Sequence, residues 1–234
     1  MITVTVERQD GRSPLVVEHA ELVAEVYFRL DPAARPGGYD DYIARHPGSN
    51  VIDSEDIGVI NRTMRARTPV AEWETLFSEP SHSWLAKLST EWDLLAMDDP
   101  AWQARGCSDA LRAAFRGIQA PYPVQAPWRG RAVVTKLLHL KRPALVPVCD
   151  SLVEAQLGVP SSIDALALVE LIRTEGRRNL AGLCSVQAHL RGCGIDRTLI
   201  RVFDGLLWST HPSSELAPVR GLISDWADRG VIRG

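Results

Sequence analysis

The chain has 234 residues, 26 of them basic and 29 acidic, for a formal charge of −3. That length can bury a sizeable core, while the near-neutral balance excludes any whole-molecule electrostatic attraction to nucleic acid. No run of 18 apolar residues occurs, and MITVTVERQDGR lacks the basic start and apolar stretch of a secretory signal, so a soluble cytoplasmic protein without membrane association is expected.

In chain order, MITVTVE alternates apolar and polar residues, QDGRS is turn chemistry and PLVVE is a second β-prone run, together a short N-terminal β-hairpin. HAELVAEVYFRL then repeats apolar residues at helical spacing (Leu22, Val26, Leu30) and stops at DPAARPGG. Asp53 is placed to cap a helix running to Met64, which makes Asp53, Glu55 and Asp56 a helix start and not a metal site. Thr68 and Pro69 open VAEWETLF, and SWLAKLSTEWDLLAM predicts a helix with Leu85, Leu88, Trp92 and Leu95 on one face. Ser108 is expected to cap DALRAAFRGI. A proline-rich link (Pro121, Pro123, Pro127) precedes the stretch APWRGRAVVTKLLHLKRPALVPVCD, residues 126–150. Three further helix patterns follow in SSIDALALVELIRTEG, NLAGLCSVQAHLRGCG and IDRTLIRVFDGLLWS, with Ser, Asn or Asp at their starts and Gly176, Gly192 and Gly194 as stops. The expected fold is mainly α, a single helical domain over residues 1–234, or two lobes near 18–120 and 121–234. Trp73, Trp84, Trp92 and Trp208 stand at helical spacing with leucines and read as core; Trp128 stands in a Pro/Arg/Gly turn instead.

Cys107, Cys149, Cys184 and Cys193 form no C-x-x-C pair and no zinc-like spacing with the histidines, so reduced, mostly buried thiols are expected, with no metal and no cofactor. The basic residues are 23 Arg and three Lys, and two of those lysines, Lys136 and Lys141, lie in the 126–150 stretch. Only a lysine amine can deprotonate to act as a nucleophile. Charge is also segregated: residues 53–100 hold ten acids and four bases, a balance of −6, whereas residues 101–149 hold one acid and eight bases, a balance of +7. The basic segment can bind phosphate locally, or the two segments can neutralise each other across an internal interface.

Within the 126–150 stretch, a helix over Gly130–Leu140 puts Ala132, Lys136 and His139 on one face and Val133, Leu137 and Leu140 on the apolar stripe. Pro143 ends it. ALVPVCD is extended, and Asp150 stands as the N-cap of SLVEAQLG, where the helix terminus favours an ionised carboxylate. His139 reads as a helix-surface or partner histidine. Arg142 is placed either to bind an anion or to bond the last carbonyls of its helix.

This order, a proline–glycine turn, a helix and a short apolar run ending in Asp, resembles the helix-hairpin-helix DNA glycosylase superfamily, whose signature is an L-P-G-V-G hairpin, a helix and a P-V-D motif. Laid without gaps, Pro127 falls on the hairpin proline, Gly130 on its second glycine and Asp150 on the catalytic aspartate. The resemblance implies a helix-hairpin-helix glycosylase-like helical domain, DNA as partner, Asp150 as the catalytic carboxylate and Trp128, Arg129, Gly130 and Arg131, with His139 and Arg142, as nucleic-acid contacts. Trp128 replaces the first hairpin glycine, Leu152 replaces a frequent histidine, and Ala132 stands where bifunctional enzymes hold their Schiff-base lysine. That last departure implies a monofunctional enzyme, unless Lys136, one turn further on, substitutes. Over most of the chain, TKLLHLKRPALVPVCDS together with NVIDSEDIGVIN and DRTLIRVFDGLLWS more closely resembles an uncharacterised bacterial family of unknown function. Two other readings stay open beside the DNA glycosylase: a non-catalytic nucleic-acid or protein-binding module of the same fold, and an enzyme on a small nucleoside or other anionic metabolite.

Overall fold

In the computed structural model, which describes residues 1–31, 37–78, 82–119, 130–215, 221 and 223, Val4–Val6 (β1) and Leu15–Val17 (β2) pair antiparallel. Val4 faces Val17, Thr5 faces Val16 and Val6 faces Leu15. The alternation buries Val4, Val6 and Val17 and leaves Thr5 and Val16 outside. A two-stranded ribbon leaves edge amides that need partners, and helical side chains supply them. Asn179 exchanges two hydrogen bonds with the Thr5 backbone, at 2.9 and 2.7 Å, and Glu175 accepts the Glu7 amide at 2.9 Å.

Twelve α-helices follow among the described residues. The first seven are α1 (Ala20–Leu30), α2 (Tyr39–Arg45), α3 (Ser54–Met64), α4 (Glu74–Phe77), α5 (Ser83–Ala86), α6 (Asp99–Ala104) and α7 (Cys107–Gln119). The other five are α8 (Arg131–Lys141), α9 (Ser151–Leu157), α10 (Ala165–Arg178), α11 (Leu180–Gly192) and α12 (Leu199–Thr210). α12 packs on α1, α9 and α11; α8 packs on α2 and α3; α7 packs on α5, α6 and α10. Buried residues from Val4 to Ile223 form one hydrophobic cluster. None of the helices described is long and apolar enough to cross a membrane.

The caps explain where several helices begin. Asp53 accepts the amides of Glu55 (2.9 Å) and Asp56 (3.1 Å), while Asp56 reaches back to the Asp53 amide (2.9 Å), a reciprocal box at the start of α3. Asp164 caps α10 by accepting the amides of Leu166 and Ala167, and Thr198 caps α12 by accepting the amide of Arg201, each without the reciprocal bond. Asn179 occupies the α11 cap position, but its side chain is turned to the hairpin instead.

Four local expectations are corrected. The predicted 83–97 helix is only one turn, α5, because Arg142 takes the carbonyls of Leu85 and Leu88 and the Leu94 amide donates to Ala144 O at 2.9 Å. Leu85, Leu88, Leu94 and Leu95 are buried all the same. Ser108 lies inside α7, where its hydroxyl donates to Glu170 at 2.5 Å and accepts from the Trp102 indole at 3.0 Å. Gly176 does not stop α10 but lies within it, because a Cβ there would stand 2.6 Å from Leu95 and 3.3 Å from Phe203. Trp73 is fully buried, whereas Trp84, Trp92 and Trp208 are only partly so.

Among the described residues, opposite charges of the two segments pair inside the fold at Lys141 and Asp56. Lys141 Nζ donates to Asp56 Oδ1 at 2.6 Å, with side chains 3% and 0% exposed.

Candidate functional site

The site grows from the extended run Val146–Cys149, which has no strand partner. Its buried peptide groups therefore need side chains, and three supply them. His139 Nδ1 bonds Val146 O at 2.5 Å, Asp204 accepts the Val148 amide at 3.3 Å, and Thr135 Oγ1 accepts the Cys149 amide at 3.1 Å. Two of these come from α8 and one from α12. They fix the run against both helices and deliver Asp150 to the start of α9. There Asp150 Oδ1 accepts both free amides, Leu152 N at 3.0 Å and Val153 N at 3.1 Å. The second carboxylate oxygen is not used by the cap.

Lys136 approaches from α8. It is 8% exposed, and its Nζ donates to Met64 O, the last carbonyl of α3, at 2.8 Å. Burial lowers the pKa of this ammonium, and the Asp150 carboxylate pulls in the opposite direction. Lys136 and Asp150 line the same cavity, of about 860 Å³. Gly130 and Arg131 contribute the N-terminus of α8, Arg62 and Arg65 the end of α3, and Tyr27 and Trp208 an aromatic wall whose rings lie 5.7 Å apart. α8 starts at Gly130, and among the described residues no side chain caps its first amides.

The remaining predicted site residues are placed differently. Arg131 lines the cavity, but its guanidinium is held by Glu154 and by the carbonyls of Ser161 and Ile163. His139 is no surface residue: it is fully buried, stacks on Tyr39 at 5.6 Å, and burial depresses its pKa to about 4. Arg142 is likewise buried. It bonds carbonyls of Ser49, Leu85, Leu88 and Lys141 and the Asn50 side chain, and burial lowers its pKa. It ties the 49–50 and 85–88 segments to the end of α8, and neither it nor His139 lines the cavity. α8 is thus not amphipathic but buried on every side from Val133 to Lys141. Trp128 and Arg129 lie outside the described residues.

Arg201 and Asp204 are cavity residues that sequence reasoning missed. Arg201 is buried at the centre of a polar cluster, pairing with Asp204 at 2.9 Å, Asp40 at 3.1 Å and Asp31 at 3.5 Å, and donating to Tyr27 Oη at 2.9 Å. Burial pushes the Asp204 carboxyl up to about 7, with Arg201 opposing it. The signal was present as an Arg–Asp pair three residues apart inside the apolar helix LIRVFDGLLWS. A charge pair survives in such a helix when other buried charges meet it.

The chain belongs to a family of unknown function, DUF6308, whose model matches residues 20–211. Neither a curated protein nor a solved structure matches it.

Proposed function

We propose that this member of the DUF6308 family binds DNA at the α8–α9 cavity, receives one nucleotide unit turned out of the stack, and hydrolyses its N-glycosidic bond with the Asp150 carboxylate. The observation that carries this reading is that Asp150 opens into the same cavity as Lys136 while its cap bonds occupy only one carboxylate oxygen. The other oxygen is available to face a sugar.

The chemistry asks little more. As the C1′–N bond breaks, its electron pair leaves with the base and positive charge grows on the sugar. The Asp150 carboxylate stabilises that charge and accepts the proton of the water that adds to C1′. Lys136, held on Met64 O, lines the cavity with Asp150, whose carboxylate favours the ammonium form against burial. Tyr27 and Trp208 offer surfaces for the base, and the cavity volume fits a nucleoside. The first amides of α8, with Arg62 and Arg65, suit a phosphate. Ala132 carries no amine, which supports direct hydrolysis over an imine route.

A free nucleoside or small anionic metabolite is the second reading. It is favoured by the internal engagement of Arg131, since such a ligand needs no strand grip.

The test is base release from oligonucleotides carrying deaminated, alkylated or oxidised bases, run beside the corresponding nucleosides. Asp150→Asn is the informative variant because Asn caps a helix as well as Asp does. Expected is a loss of base release of about 100-fold or more with an unchanged denaturation midpoint. DNA affinity should also fall with added salt. Undiminished turnover by Asp150→Asn, or no release by the wild-type chain from any of these substrates, refutes the proposal. Activity on nucleosides alone selects the second reading.

A further inference from the structure

Away from the cavity, α1 and α11 bring three potential metal ligands together. His189 Nε2 lies 2.9 Å from Glu25 Oε2, Cys193 Sγ lies 3.7 Å from His189 Nε2, and one donor atom from each residue falls within 4.8 Å of the others. Among the described residues this is the group of His, Cys, Asp or Glu donors that converges in this way. A tetrahedral ion with bonds of ~2.0 Å to nitrogen or oxygen and ~2.3 Å to sulfur separates its donors by roughly 3.3–3.8 Å. The His189–Cys193 separation already falls in that range, and the Glu25–His189 separation is a few tenths of an ångström short of it.

We propose that Glu25, His189 and Cys193 form a three-ligand site for Zn²⁺, completed by water. A thiolate, an imidazole and a carboxylate together favour Zn²⁺ over Mg²⁺ or Ca²⁺, which take oxygen ligands. All three residues are partly exposed, so an ion can enter. On binding, the Cys193 thiol gives its proton to solvent as the sulfur–zinc bond forms. The His189 imidazole gives up its Nε2–H bond to Glu25 and binds through the Nε2 lone pair as the Nδ1–H tautomer. Arg29 is the opposing group, donating to Glu25 Oε1 at 2.8 Å. It holds the other carboxylate oxygen, and its side chain, 54% exposed, is free to swing into water. The site joins the middle of α1 to the end of α11. Tyr27 and Leu30, further along α1, line the cavity, so a bound ion would tether one cavity wall.

The test uses the full chain with Co²⁺ as a spectroscopic probe and Zn²⁺ in competition with a chromogenic chelator. Expected are a thiolate-to-cobalt charge-transfer band with tetrahedral ligand-field absorption, displaced by Zn²⁺. Cys193→Ser and His189→Gln should each weaken binding by about a hundredfold or more, beyond the ~10–100-fold that loss of an outer partner costs. Cys184→Ser, removing an exposed thiol elsewhere on α11, should leave it unchanged. In the wild-type chain, Zn²⁺ should slow alkylation of Cys193 and not of Cys184, a readout that needs no variant to fold. No thiolate band, equal loss in Cys184→Ser, or unprotected Cys193 overturns the proposal.

Discussion

Replacing Lys141 by Met tests how the acidic and basic segments are joined. The substitution keeps most of the apolar stem and removes the cation. Asp56 would then remain buried, with the Tyr42 hydroxyl at 3.0 Å and the Asp53 amide at 2.9 Å but no positive partner. Breaking one side of a buried pair costs ~3–5 kcal/mol. At ~2–4 °C per kcal/mol for a chain of this size, the midpoint should fall by ~6–20 °C. The pH dependence follows from Asp56, whose pKa is already raised by burial against the pull of Lys141. Without Lys141 it rises further. The native state then holds a proton that the unfolded chain has released, so stability falls as pH climbs from the unfolded value through the folded one. The Lys141→Met deficit should therefore be smaller near pH 4 than at pH 8. Adding Asp56→Asn should recover most of it, since no uncompensated charge is left. Urea denaturation followed by tryptophan fluorescence at the two pH values measures the wild-type chain and both variants. A deficit below about 1 kcal/mol at both pH values, or one that does not change with pH, refutes the argument.

Two further outcomes are expected. Gly205→Ala places a Cβ 2.7 Å from the Tyr27 ring where α12 crosses α1, so overpacking of ~1–3 kcal/mol should outweigh the ~1 kcal/mol gained in helix propensity; a higher denaturation midpoint would count against it. His139 and Asp204 should impose opposite pH slopes of about 1 kcal/mol per unit. The His139 pKa is depressed from 6.5 to about 4, so its contribution is lost as pH falls through that window, whereas Asp204, raised from 3.8 to about 7, favours the fold at low pH and less as pH rises. Relative to the wild-type chain, His139→Asn should tilt stability between pH 4 and 6.5 toward acid and Asp204→Asn should tilt it toward neutral; parallel tilts would contradict the assignments.

Most of the helical order was legible because local chemistry sets it. Asp53 and Asp150 each cap a helix that their sequence neighbours announce. What escaped was set by distant partners. The 83–97 pattern keeps its leucines buried yet loses its helix, because Arg142, more than fifty residues on, claims two of its carbonyls. Gly176 reads as a stop until Leu95 and Phe203 are seen to need the space of its missing side chain. Glu25, His189 and Cys193 show no local metal spacing because the first ligand is 164 residues from the second.

The 126–150 stretch is the instructive case. Its face of Ala132, Lys136 and His139 suggests a solvated or ligand-facing side of α8, yet Lys136 and His139 are buried. The reason lies in the apolar run that follows. Val146–Cys149 cannot be buried unless its peptide groups are met, and an unpartnered extended segment has no ladder to meet them. Thr135 and His139 serve that run, with Asp204 meeting it from α12. Lys136 instead satisfies the end of α3, which holds its amine at the cavity beside Asp150. Polarity on a buried helix is here the condition for placing a carboxylate at the mouth of α9. Any chemistry at Asp150 depends on α8 for its position as much as for its neighbours.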